Sequence, residues 1–164
     1  MLSKLLSRDE CANCRICCTF DDDDIWETPV IYNELAEKTA ASVGAKLLDK
    51  DSYKLFSLSK KHGDELYYCS ALDRSKGCKL SNETKPFDCK IWPFRVMKLK
   101  GLDRLVITLS PVCPVVMTKP LESILQTLDE IKEEIFKEAR SHPFMVKDYI
   151  DGYPILAVSG IENG

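Results

Sequence analysis

Residues 9–20 read Asp9-Glu10-Cys11-Ala12-Asn13-Cys14-Arg15-Ile16-Cys17-Cys18-Thr19-Phe20, and four of the chain's eight cysteines fall inside this one stretch. Cys11, Cys14 and Cys17 follow C-x2-C-x2-C spacing, with Cys18 directly after. Two residues between thiolates let the backbone fold into a knuckle whose amides point at sulfur, so successive sulfurs reach one centre. A C-x2-C-x2-C run is the opening of a bacterial ferredoxin motif, in which a later Cys-Pro completes the set. Here Cys113-Pro114 supplies a distant Cys-Pro. Zinc sites more commonly use two separate C-x2-C pairs. The spacing therefore favours an iron–sulfur cluster over zinc, with zinc as the alternative.

The other cysteines are single: Cys69, Cys78, Cys89 and Cys113. Eight thiolates divide into two sets of four, the number that a tetrahedral zinc ion or a [4Fe–4S] cubane takes; a single centre with leftover thiols is the alternative, and spacing does not choose the partition. Neighbours in an extended segment point to opposite sides, so Cys17 and Cys18 are expected to serve different centres, or one of them to be a redox-active thiol. All eight cysteines are candidate metal ligands. Arg15, Lys85, Lys90 and Arg95 flank them as candidate cations for tuning a negatively charged cluster. His62 and His142 each stand alone. The acidic run Asp21–Asp24 lacks the alternating, glycine-containing loop that calcium sites use.

At 164 residues, with 45% hydrophobic and 30% charged side chains, the composition is that of a globular domain. The expectation is a single domain over residues 1–164, able to bury roughly two-thirds of its unfolded surface. A net charge of -3 points to neither nucleic acid nor an acidic tail. The apolar pair Leu5-Leu6 is cut short by Arg8, Asp9 and Glu10, which is too brief for a secretory signal. No run approaches the length of a membrane span. The expected compartment is the cytoplasm, where thiols stay reduced and clustered cysteines serve as ligands rather than staples. The expected partners are metal ions and a protein, with no nucleic acid and no membrane.

The pattern around the cysteines predicts an α+β fold: a small, irregular, metal-stapled domain with short antiparallel strands and two main helices. Thr28-Pro29 reads as a helix start, and the apolar spacing from Ile31 predicts a helix over 29–43 that Gly44 stops. Residues 53–59 and 66–70 read as strands. The turn-rich stretch 73–92 reads as loop, and it holds Cys78 and Cys89. Residues 94–100 and 104–110 alternate around Gly101-Leu102-Asp103 as a hairpin. Leu121, Ile124, Leu125, Leu128, Ile131, Ile135, Phe136 and Ala139 make the apolar stripe of an amphipathic helix over about 120–141. A turn at Asp151-Gly152 and the apolar run 155–158 close the chain. The loops around residues 11–18, 69–89 and 113 are expected to converge.

Taken in order, Cys11, Cys14, Cys17, Cys18, Cys69, Cys78, Pro86, Cys89, Trp92-Pro93-Phe94 and Cys113-Pro114 form a pattern that resembles the YkgJ-like cysteine-cluster proteins. The likeness spans about residues 11–114. Lys85-Pro86 stands where that family usually has Arg-Pro, and Cys89-Lys90 where Cys-Arg is common. The resemblance implies a zinc- or iron-chelating domain with no assigned reaction and no assigned catalytic residue. A longer relative, flagellin lysine-N-methylase, extends the implied chemistry to cluster-assisted methylation of protein lysines. A metal-delivery or redox-sensing module is the remaining alternative.

Overall fold

A computed structural model of the chain describes residues 2, 5–23, 26–102 and 104–160. Asp24 of the acidic run and Asp103 of the hairpin turn lie outside the described residues. The fold is α+β, and the chain groups into two compact units: Ser7–Lys90, and Met1–Leu6 together with Ile91–Gly164.

The first unit opens with helix α1, Arg8–Cys14. A capping box starts it: the Ser7 hydroxyl accepts from the Glu10 amide at 3.1 Å, and the Glu10 carboxylate accepts from the Ser7 amide at 2.8 Å. Arg15 ends it in the left-handed region at φ 60°, its amide donating to the Cys11 carbonyl. A single 3-10 turn, Ile16–Cys18, follows. Strand β1, Thr19–Phe20, then joins β5, Leu58–Ser59, and β6, Tyr67–Cys69, in the order β1-β6-β5. A second sheet places β4, Tyr53–Phe56, between β2, Val30–Tyr32, and β3, Leu47–Asp49. Helix α2, Asn33–Val43, lies against β2 and β4, and Gly44 ends it at φ 65°.

Two differences from the sequence reading sit here. Residues 30–32 are strand rather than the first turn of the helix, because Val30, Ile31 and Tyr32 pair with Leu55, Lys54 and Tyr53. Ladder pairing and full burial of Ile31 outweigh the local N-cap signal of Thr28-Pro29. The stretch 73–92 is also not plain loop. Leu72–Asp73 and Gly77–Cys78 form a two-stranded ribbon, β7 and β8, and Phe87–Ile91 forms a short helix, α3. The Asp73 carboxylate accepts from the Ser75 amide, the Ser75 hydroxyl and the Lys76 amide. Those bonds close the ribbon's turn and hold the carboxyl down at about 2.

The second unit is built on β9, Phe94–Lys98, and β10, Leu105–Leu109, paired as the alternation predicts, with Val106 opposite Met97 and Ile107 opposite Val96. Helix α4, Leu121–Ser141, packs on β9. Strand β11, Lys147–Asp148, adds parallel to β9, and β12, Ile155–Val158, adds antiparallel to β10, giving the order β11-β9-β10-β12. Ile124, Leu128, Ile131, Ile135, Phe136 and Ala139 of α4 are buried, and each large side chain contributes about 1.5–3 kcal/mol. Leu121 and Leu125 of the expected stripe are exposed instead, at 61% and 39%. No helix among the described residues is long and apolar enough to cross a membrane.

Candidate metal centre

The core of the first unit is where its thiols are. Cys18 and Cys69 are buried with Phe20, Ile31, Ala36, Phe56, Ala71 and Leu80, and Cys17 and Cys78 pack against the same cluster. Thr39 of α2 is buried too, and its hydroxyl donates to the Thr84 carbonyl at 2.9 Å, holding the 81–86 loop against this core.

Cys17, Cys18, Cys69 and Cys78 therefore share one buried neighbourhood, and Cys18 titrates under the influence of the other three. Three short segments bring them together: the 3-10 turn carrying Cys17 and Cys18, the end of β6 carrying Cys69, and β8 carrying Cys78. Cys17 and Cys18 sit in a 3-10 turn rather than an extended segment, with Cys18 buried and Cys17 partly exposed.

Two sulfurs also receive backbone amides. The Ala71 amide donates to the Cys69 sulfur at 3.4 Å, and the Leu80 amide donates to the Cys78 sulfur. Both bonds run from residue i+2 back to the cysteine, the knuckle arrangement expected for thiolate ligands, at Cys69 and Cys78. The Lys79 amide donates to the Ala71 carbonyl at 3.0 Å, so the two knuckles run side by side.

Titration follows this geometry. Cys78 is lowered from its ordinary 9.0 to about 6, chiefly by the hydrogen bond from Cys18. Burial opposes that, while the Leu80 amide, Lys85 and Arg8 add to it. Cys17 is lowered by the Cys18 hydrogen bond, against burial and the nearby Cys78, with help from Lys85. Cys18 is pushed well above the ordinary range because, as the donor, its neutral form is the one its three sulfur neighbours stabilise. Cys89 on α3 is raised by burial, then by the negative charges of Cys69, Cys17, Cys78 and Asp88. Its helix is held to β2 by the Val30 amide, which donates to Asp88 at 3.0 Å.

A measurable consequence concerns Cys78. In metal-free protein its alkylation by iodoacetamide is expected to rise with a midpoint at about pH 6, where an ordinary cysteine shows 9.0. Stopped alkylation with mass detection of the Cys78 peptide measures this, and a midpoint above 8 contradicts the contact with Cys18.

Cys11 and Cys14 lie on α1, which packs on β8 next to Cys78. The contact is close: a Cβ on Gly77 would stand 2.8 Å from the Ala12 Cα. Cys113 is buried in the second unit, between β10 and α4. Of the expected cations, Lys85 acts on Cys17 and Cys78. Arg15 instead donates to the Arg74 carbonyl, and Arg95 sits over the Trp92 ring at 5.0 Å. Arg8, a residue the sequence reading passed over, acts on Cys78. Arg74 lies 3.8 Å from the centre of the Tyr68 ring and pairs with Asp64, so it ties the β7–β8 ribbon back to β6.

As donors these residues suit a soft or borderline metal: thiolates with amide and cationic support. As a cage they are not preformed. Among the described residues, no group of three or more His, Cys, Asp or Glu side chains stands in an arrangement that could hold a metal ion. The described residues, which include all eight cysteines, contain no disulfide. Comparison with known protein families, with curated proteins and with solved structures finds no match to this chain.

Proposed function

We propose that this is a cysteine-cluster metal-binding protein of the YkgJ-like type, holding an iron–sulfur cluster in preference to zinc. The observation that carries this reading is the packing of Cys17, Cys18, Cys69 and Cys78 in and against one buried cluster of the first unit. Four thiolates are the set that a tetrahedral zinc ion or a [4Fe–4S] cubane takes.

Cys17, Cys18, Cys69 and Cys78 would supply ligands, with Cys11, Cys14 and Cys89 of the same unit as further candidates. A cluster bound here would supply one-electron transfer. The protein's own part is to desolvate the sulfurs, to donate the Ala71 and Leu80 amides to them, and to place Lys85 and Arg8 against their charge. Ligand thiols of this kind remain available in a reducing compartment, which makes the cytoplasm the setting for this reading. Its partners are then metal ions and a protein that exchanges electrons or metal, rather than nucleic acid or a membrane.

Preference for a cluster over zinc rests on the C-x2-C-x2-C-C spacing of Cys11 to Cys18. Protein purified without oxygen is expected to be brown, with iron and acid-labile sulfide in equal amounts. Colourless protein with stoichiometric zinc overturns the choice of metal. Protein that takes up neither metal after anaerobic reconstitution overturns the function.

A further inference from the structure

We infer that the cleft between the β5–β6 pair and the turn of the β7–β8 ribbon is a binding site for a small phosphate monoester. The cleft lies within the first unit and has a volume of about 360 Å³, a size that takes a small organic molecule rather than a bare ion. Strand register builds one wall. Ser59 stands directly opposite Tyr68 across the β5–β6 ladder, so the two side chains share a face. Arg74, at the ribbon's turn, builds the other. Its guanidinium lies 3.8 Å from the centre of the Tyr68 ring and donates from Nη1 to the Asp64 carboxylate at 3.0 Å, which fixes its position.

Charge decides the class of ligand. Lys61 and Arg74 line the cleft, and Arg15 is moored at its rim by donating to the Arg74 carbonyl. Two carboxylates lie close by, and both are engaged. Asp64 accepts from Arg74 and from the Lys61 amide. Asp73 accepts from the Ser75 amide, the Ser75 hydroxyl and the Lys76 amide. Among the described residues, the Lys61 ammonium makes no ion pair and the Ser59 hydroxyl no hydrogen bond. The cleft therefore keeps an ammonium, a hydroxyl and the remaining guanidinium N–H groups for an incoming group. A compact cation beside a planar guanidinium and a hydroxyl donor is a donor set for phosphate oxygens. Leu72 and the Tyr68 ring offer the organic part of the ester an apolar surface. Binding draws on no thiol, so the site stands apart from the metal reading.

The test titrates the full chain, as purified and after chelation, with glycerol phosphate, glucose phosphate and inorganic phosphate. Calorimetry gives the affinities, and amide resonances of isotope-labelled protein locate the site. At least one monoester is expected to bind at least about tenfold more tightly than inorganic phosphate, with shifts centred on residues 59–75. Lys61→Ala should weaken that binding at least about tenfold. Lys61 is exposed, so the variant keeps the fold. Lys60→Ala is the control: Lys60 is the adjacent cation but lies over the Tyr67 ring, 4.9 Å from its centre, and outside the cleft. It should bind as the wild type does.

No binding by any of the three, or inorganic phosphate bound as tightly as the better monoester, overturns the inference. So does equal weakening by Lys60→Ala and Lys61→Ala, which would indicate general attraction to a basic surface, or shifts centred elsewhere. Metal analysis of the same samples keeps the two proposals apart. Binding in metal-free protein leaves the cleft standing without the metal centre, and metal without monoester binding does the reverse.

Discussion

Gly77→Ala is expected to cost about 2–6 kcal/mol and to lift the first helix away from the ribbon that carries Cys78. Two penalties act together. Gly77 has φ 88°, a conformation that costs a side chain-bearing residue about 1–3 kcal/mol. The added Cβ would also meet Ala12 at 2.8 Å from its Cα and 2.9 Å from its Cβ. The first of those atoms is helix backbone, which no rotamer change can move aside, and overpacking of that kind costs about 1–3 kcal/mol.

Gly63→Ala separates the two terms. Gly63 has φ 87°, nearly the same, but nothing lies within 4 Å of a Cβ built there. It should lose only the backbone penalty. Urea unfolding of the two variants measures the difference, which is the contribution of the α1–β8 contact. Cys11 and Cys14, carried on α1, should alkylate faster in Gly77→Ala and at the wild-type rate in Gly63→Ala. Equal destabilisation of the two variants would mean that α1 does not rest on Gly77.

Cys18→Ala is expected to abolish metal uptake and, separately, to raise the titration of Cys78. The hydrogen bond from Cys18 is the largest cause of the lowered value at Cys78, so its removal should move the alkylation midpoint from about 6 toward 9.0. That readout needs no metal. Iron or zinc content should fall at least about tenfold, as expected when a ligand is lost and metal binding is linked to folding.

Stability follows with a definite sign. A thiol lowered on folding contributes stability that is complete above its unfolded value of 9.0 and is lost as pH falls through about 6. Raised thiols, Cys18 and Cys89, contribute stability that is complete below 9.0 and is lost above it. Metal-free wild type should therefore be most stable near pH 9 and weaken on acidification from 9 to 6. In Cys18→Ala the acid limb should flatten. A variant that keeps its metal and the wild-type Cys78 midpoint would mean that Cys18 neither holds metal nor acts on Cys78.

Much of this was legible along the chain. The hairpin at 94–110, the long helix and the α+β class follow from apolar periodicity, since a two-residue or 3.6-residue repeat leaves little choice of which face is buried. The thiols were legible as a set because their number and spacing are so far from ordinary usage. Helix α1 was legible in principle: Ser7-Arg8-Asp9-Glu10 is a capping box, a local signal overshadowed by the cysteines that follow it.

What could not be read was decided by partners distant in sequence. Whether residues 30–32 continue a helix or pair as a strand depends on Tyr53–Phe56 lying alongside. Whether Leu121 and Leu125 are buried depends on how far β9 reaches along α4. Most of all, nothing in the order of the cysteines selects Cys17, Cys18, Cys69 and Cys78 as the four that pack together. Composition determined that the chain must deal with many thiols. Their grouping was decided by a glycine with room for no side chain, a single turn at Cys17-Cys18 and two amide knuckles, because contact between segments some fifty residues apart is a property of packing rather than of local spacing.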